Sequence, residues 1–341
     1  MALTTHRTRP TPIALGVMGL GHWGPNYLRV FKMLPQAAVL AAADPDLSRL
    51  RALAPLYPEV KFVRDYHAIL NNPAIQAVVI TTPSSTHYAL AREALRRGKD
   101  VLVEKPLALS SSHCQKLIEL ARANKRILMV AHVFMFNPGV LKIKEYLDAG
   151  RVGQVYYLMA VRTNLGPVRQ DVNVVFDLAA HDVSIFNFIL NARPTRVTAS
   201  GASFLKPGRE DFCFITLHYP RGVLGHLHIS WLTPKKQREL LVVGSRRMIT
   251  WDDLDPLQPV KVHDRGSAEE PFYSDYGEFQ RMSRVSDVHL PSIGAEEPLL
   301  LQSRHFLQCL RTRSRPLSDG RNGREVIQTL EQIQRALRRS R

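Results

Sequence analysis

The first part of the chain alternates short, almost continuous apolar runs with stretches in which apolar residues recur every three or four positions. The runs at 13–19, 39–44, 76–82, 100–106 and 126–132 predict buried strands. The stretches at 23–34, 45–56, 85–98 and 110–125 predict amphipathic helices between them. Strands apolar on both faces, separated by helices, predict a parallel sheet covered on each side and wound through βαβ crossovers. After His132 the rhythm changes. A helix is predicted over 137–150, with Gly150 as its stop. Longer strands of alternating polarity follow at 154–163, 194–204, 211–220, 222–232 and 238–253, interrupted by one helix over 174–191. Two helices, 298–311 and 323–339, close the chain, and 264–297 reads as irregular. The expected class is α/β: a Rossmann, doubly wound parallel sheet over residues 1–132, then an α+β domain over 133–341 with a largely antiparallel open sheet.

Composition narrows the class. With 341 residues and 45% hydrophobic content the chain can fill two cores. Its three cysteines, Cys114, Cys213 and Cys309, are odd in number and dispersed, which argues against a disulfide framework or a zinc ribbon and for a reducing compartment. No apolar run reaches the roughly 18–20 residues of a membrane helix. The basic N-terminal stretch has too short an apolar core for a signal peptide. A soluble, cytoplasmic protein is expected. The formal net charge of +16, with a pI near 10.1, favours an anionic partner. Nucleic acid is a poor fit, because no aromatic–basic interleaving or helix-turn-helix pattern accompanies the charge.

The glycine pattern of "GLGHWG" carries the first chemistry. Gly19, Gly21 and Gly24 match G-x-G-x-x-G between a predicted strand and a predicted helix, the context that a pyrophosphate-binding turn requires. Gly19 permits the turn, Gly21 lets the backbone approach phosphate, and Gly24 allows close helix–strand packing. Free N–H groups at the helix start then face the anion, and Pro25 sits where a missing N–H costs little. His22 and Trp23 lie inside the loop; a tryptophan there is more often a packing residue than a ligand contact. Asp44 ends the second strand, where a carboxylate accepts from ribose hydroxyls and repels a 2′-phosphate, so NAD is the expected cofactor. Capping of the following helix is the bland alternative for Asp44. "TTPSSTH" places Thr82, Pro83 and His87 at the carboxyl end of the third run, on the nicotinamide side, although its hydroxyls also suit a helix cap. "VEKP" places Glu104 and Lys105 at the end of the fourth, where an ammonium can stabilise a substrate alkoxide, although by itself an ordinary surface lysine at a strand end is the better reading. In "FDLAAHD", Asp177 and His181 are four apart and share a face of an α-helix, so the carboxylate can tune an imidazole that moves a proton, although taken alone such a spacing is more often a local helix pair. His226 and His228 alternate on a strand without a third ligand, and His305 with Cys309 reads as packing; no metal site is assigned.

Taken in order, "GLGHWG", "TTPSSTH", "VEKPLALS" and "DLAAHD" resemble the glucose–fructose oxidoreductase / inositol dehydrogenase / MocA family over about residues 12–265. The second half is similar to its UDP-N-acetylglucosamine or glucosaminuronate 3-dehydrogenases, through "RTNLG", "DVNVVFDLAAHD" and "HLHISWLTPKK". The resemblance implies an NAD-dependent sugar oxidoreductase acting at C3 of an anionic nucleotide sugar. Lys105 approaches the reacting hydroxyl, His181 is the acid/base, Asp177 supports it, and Asn137, Arg162 and Asn164 fall in segments near the substrate. It also implies a homodimer or homotetramer joined through the second sheet. Phe176 and Ala180 stand where that branch is expected to carry tryptophan and proline. Two rivals stand beside this reading. One is an inositol or simple-sugar dehydrogenase, the other a non-catalytic NAD-dependent sensor.

Overall fold

The computed structural model describes residues 11–166, 168–169, 171–264 and 287–339. The signal-peptide reading, most of the stretch predicted irregular and the last two residues of the basic tail lie outside these. The chain divides into two compact units, Met1–Ala131 with Leu299–Gly323 and His132–Pro298 with Arg324–Arg341.

The first unit is built on six parallel strands: β1 (Ile13–Met18), β2 (Ala37–Ala43), β3 (Lys61–Val63), β4 (Ala77–Ile80), β5 (Asp100–Glu104) and β6 (Leu128–Ala131), in the order β3-β2-β1-β4-β5-β6. This is the doubly wound order, with its reversal of winding between β1 and β4, where such sheets bind ligands beyond their carboxyl ends. Every residue of β4 and β5 is buried, which explains the unbroken apolar runs. β3 went unpredicted because it has three residues, begins with an exposed lysine and lacks a hydrophobic run. Helices α1 (Gly24–Lys32), α2 (Leu47–Leu53), α3 (His67–Leu70), α4 (His87–Arg96) and α5 (Ser111–Ala123) form the crossovers. Asp46, not Asp44, caps α2, accepting from the Ser48 N–H at 2.8 Å. The unit also takes in α8 (Pro298–Thr312), from near the end of the chain. Arg313, just after it, forks the Asp100 carboxylate at 2.7 and 2.9 Å at the start of β5.

The second unit carries helices α6 (Pro138–Asp148) and α7 (Ala180–Leu190) and an eight-stranded mixed sheet. The strands are β7 (Val155–Leu165), β8 (Arg196–Ala202), β9 (Phe212–His218), β10 (Leu224–Ser230), β11 (Leu232–Gly244), β12 (Met248–Asp252), β13 (Val260–His263) and β14 (Val288–His289), in the order β14-β13-β12-β11-β7-β10-β9-β8. All pairs are antiparallel except β7 with β10, which run parallel. The stretch 238–253, read as one strand, is a hairpin of β11 and β12, and the irregular stretch supplies β14. Trp231 is the single residue between β10 and β11, and its carbonyl accepts from the Gly166 N–H at the end of β7. The chain therefore climbs one side of β7, crosses its tip at Trp231 and descends the other. Along β7, Leu158, Ala160 and Arg162 are buried while Tyr157 and Met159 are exposed. On that open face, His226 and His228 lie beside Phe214, at ring separations of 6.4 and 4.7 Å.

The segment predicted as one α-helix over 174–191 is not uniform. Val175–Ala179 forms a π turn, and α7 begins after it. Asn173 starts the turn, its side-chain oxygen accepting from the Phe176 N–H while its amide donates to Glu210 at 2.8 Å. The wider turn holds an additional residue, so the α-helical geometry assumed for Asp177 and His181 does not apply there. The last helix, α9 (Gly320–Arg339), contains the division between the two units.

Candidate active site

In the first unit, four neighbouring strands deliver the predicted cofactor residues at their carboxyl ends, with Asp44 following β2. The glycine loop follows β1, Thr82 and Pro83 follow β4, and Glu104 and Lys105 close and follow β5. Each glycine has its own contacts. Gly19 has φ +95°, and a Cβ there would meet the Thr82 nitrogen at 2.8 Å. A Cβ on Gly24 would meet the Gly19 carbonyl oxygen at 2.2 Å, so α1 packs directly on the turn. Beside Gly21 the nearest atom is Arg49 Nη1, at 3.6 Å. The space over Gly21 is therefore a cradle that a side chain would begin to fill, which fits a pyrophosphate approaching the backbone. Trp23 and His22 are exposed beside it, their rings edge-to-face at 5.6 Å.

Asp44 is buried and braces the loop. Its Oδ2 accepts from the Leu20 N–H at 2.7 Å and its Oδ1 from the Asp46 N–H at 2.9 Å. Arg49 Nη1 lies 3.3 Å from Oδ2. Thr81 donates its hydroxyl to the Gly19 carbonyl at 2.5 Å, tying β4 to the glycine turn. His87 lies buried between two carbonyls, with Nδ1 2.7 Å from Pro106 O and Nε2 2.9 Å from Thr82 O, and so joins the segment after β4 to the segment after β5.

The structure adds a residue that sequence reasoning passed over. Tyr27, fully buried on α1, donates to Glu104 Oε1 at 3.0 Å and accepts from the Gln302 amide at 2.9 Å. Glu104 Oε2 in turn accepts from the Lys105 N–H at 3.2 Å. Burial first, and then the Glu104 charge, push the Tyr27 phenol well above its ordinary pKa, so it stays a donor. The helix behind the glycine loop thereby holds the carboxylate beside Lys105. Its only sequence signal was a polar atom on an otherwise apolar helix face.

In the second unit, two of the residues named from sequence, His181 and Arg162, meet at Phe134, which was not among them, while Asn137, Asn164 and Asp177 have other partners. The His181 ring meets Phe134 edge-on at 4.9 Å. The Arg162 guanidinium sits 4.5 Å from the Phe134 centroid and forks the buried Asp182 at 2.9 and 2.8 Å. Arg238 approaches the same ring at 5.9 Å and Trp251 at 6.2 Å. Asn137 caps α6 through its side-chain oxygen and donates its amide to Asp253 Oδ1 at 3.0 Å. Asn164 donates to the Gly166 carbonyl. Asp177 accepts from Trp231 Nε1 at 3.2 Å and lies 3.6 Å from Arg169 Nη1. Of the packing readings, His305 and Cys309 do meet, at 3.4 Å, and His305 Nε2 accepts from the Leu317 N–H. Among the described residues, no helix is long and apolar enough to cross a membrane.

A glycine turn, an acid behind it and a lysine two strands away, joined to a second unit with a mixed sheet, describe a class of nicotinamide-dependent oxidoreductases. Comparison with known proteins makes this specific. Residues 13–132 match the GFO/IDH/MocA oxidoreductase family, NAD-binding Rossmann fold, and residues 140–250 match the GFO/IDH/MocA C-terminal domain. The chain belongs to this family, and its first unit is an NAD-binding Rossmann domain. An inositol 2-dehydrogenase of Saccharopolyspora erythraea is 29% identical over 222 residues, 63% of this chain and 66% of that protein, just under two thirds of its length. An oxidoreductase from Magnetospirillum magnetotacticum is 28% identical with a TM-score of 0.81, covering 94% of this chain and 99% of its own. The UDP-N-acetylglucosamine 3-dehydrogenase of Acidithiobacillus ferrooxidans is 23% identical with a TM-score of 0.81, covering 95% and 97%. At that identity the likeness is one of fold.

Proposed function

We propose that the protein is an NAD-dependent sugar oxidoreductase, acting on a ring CH–OH, at C3, of a nucleotide-linked amino sugar or its uronate. The observation that carries the oxidoreductase reading is the emergence of Lys105 at the end of β5, in the same row of strand ends as the glycine turn and Thr82. The nucleotide-sugar reading rests on the "RTNLG" and "DVNVVFDLAAHD" segments and on the net charge of +16.

In this reading His181 takes the hydroxyl proton and Lys105 donates a hydrogen bond to the oxygen as it becomes a carbonyl. NAD, when bound, supplies the acceptor for the hydride that leaves the same carbon. Glu104, held by Tyr27, fixes the start of the lysine segment. Asp177, held by Trp231, orients the turn that leads to His181. The first unit serves the cofactor; the second serves the substrate and, through the exposed Tyr157, Met159, Phe214 and Leu224 of its open face, joins a second copy of the chain. Light scattering on a variant with charges at Met159 and Phe214 tests that assembly.

The test of the chemistry is a pair of variants. Lys105→Ala and His181→Ala should each lower turnover by orders of magnitude while NAD still raises the melting temperature. Near-wild-type rates in both would remove these roles. A second reading, oxidation of inositol or a simple sugar, is favoured by the inositol dehydrogenase among the relatives. NADH formation with UDP-N-acetylglucosamine, its uronate and myo-inositol separates the two.

A further inference from the structure

Arg238 on β11 is the register partner of Arg162 on β7, so two guanidinium groups stand side by side on the helix-covered face of the sheet. Their surroundings differ. Arg162 is buried with both arms engaged by Asp182. Among the described residues, Arg238 makes one contact with a carboxylate, Nη1 to Asp253 Oδ2 at 3.2 Å, and its side chain is 36% exposed. Asp253 is fixed from the other side by Asn137. Most of the five N–H donors of Arg238 are therefore left for another acceptor. The same Phe134 ring carries His181 at 4.9 Å and Arg238 at 5.9 Å, so the two lie no more than about 11 Å apart. That is within the reach of a single sugar and its substituents. The strand irregularity between Leu232 and Gln237 adds the exposed Lys235 and Lys236 to the same end of β11.

We infer that Arg238 reads an anionic substituent, a carboxylate or a phosphate oxygen, on the sugar whose hydroxyl His181 deprotonates. The inference rests on the oxidoreductase reading of His181. A guanidinium fork matches two oxygens of such a group in its own plane, which a lysine at this position would not do. Arg162 cannot take this role, because its fork is spent on Asp182; it holds Phe134 and thereby places Arg238.

The experiment compares wild type, Arg238→Ala and Arg238→Lys, each with saturating NAD, on three probes: myo-inositol without charge, glucuronate with a carboxylate, and UDP-N-acetylglucosamine with a diphosphate. NADH formation and thermal protection are both measured. Loss of a charge-assisted contact should raise KM for the recognised anion about ten- to hundredfold in Arg238→Ala, with kcat little changed. Arg238→Lys should be intermediate, and myo-inositol unaffected. Loss confined to glucuronate assigns a carboxylate; loss confined to the nucleotide sugar assigns phosphate. Equal losses on all three probes, or none, overturn the inference. NADH from myo-inositol with no Arg238-dependent anion effect refutes the subsite and leaves the oxidoreductase reading intact. Anion protection that depends on Arg238, without NADH from any probe, does the reverse.

Discussion

Gly21 and Gly24 lie three residues apart in one loop, yet their surroundings demand opposite responses to the same methyl group. An alanine at 24 would place its Cβ 2.2 Å from the Gly19 carbonyl oxygen and 3.1 Å from Leu20 Cδ2. Ordinary contact needs more than an additional ångström, and the obstacle is backbone that the Asp44–Leu20 bond holds in place. Overpacking of this kind costs about 1–3 kcal/mol. At about 2 kcal/mol the first unit should melt roughly 4–8 °C lower with or without cofactor. An alanine at 21 would meet only Arg49 Nη1, at 3.6 Å, and its apo melting temperature should stay within about 1 °C of wild type. The methyl would instead stand in the pyrophosphate space. Losing a charge-assisted backbone contact weakens NAD about ten- to hundredfold. At an NAD concentration one hundred times the wild-type Kd, stabilisation would drop from about 2.7 kcal/mol to about 0.4 kcal/mol for a hundredfold loss. Differential scanning fluorimetry of both variants, with and without NAD, reads all four quantities. If Gly21→Ala melts early without NAD, or keeps full protection with it, the loop does not hold the cofactor as argued.

Two further outcomes follow from buried contacts. Asp182→Asn leaves the Arg162 charge without its partner and should cost about 3–5 kcal/mol in chemical denaturation; Arg162→Met with Asp182→Leu should recover much of that loss. Burial holds the His305 imidazole below its ordinary pKa while Nε2 accepts from the Leu317 N–H. The folded value thus lies below the unfolded one, near 6.5, so the unfolded chain takes up the proton first and stability declines as pH falls below it. His305→Gln should flatten the decline in melting temperature between about pH 7.5 and pH 5.5; an unchanged slope would refute the assignment.

The first unit was largely legible because its strands are buried on both faces and its turn chemistry is local. β1 and β4 announce themselves as apolar runs, and Gly19, Gly21 and Gly24 are close in sequence. β3 and β14 were not, being three and two residues long with exposed or half-exposed positions. The π turn was hidden because 174–191 is apolar nearly all round, so its periodicity carries no information about winding. The surroundings of His181 were hidden for a different reason. Phe134, Arg162, Asp182, Arg238 and Asp253 meet through strand register and helix packing, and nothing in their spacing along the chain brings them together.

The crossing at Trp231 has a consequence for assembly of the second unit. β8, β9 and β10 form a local antiparallel meander, and β11, β12 and β13 form another. β7 alone joins them, and its pairings with β10 and β11 reach across the whole intervening segment, the steps with the greatest entropy of closure in this sheet. The two ribbons can therefore fold early, while the seam along β7 forms last. Arg162, Arg238 and the Trp231 contact to Asp177 all lie on that seam, so the candidate site is completed only when the sheet itself is.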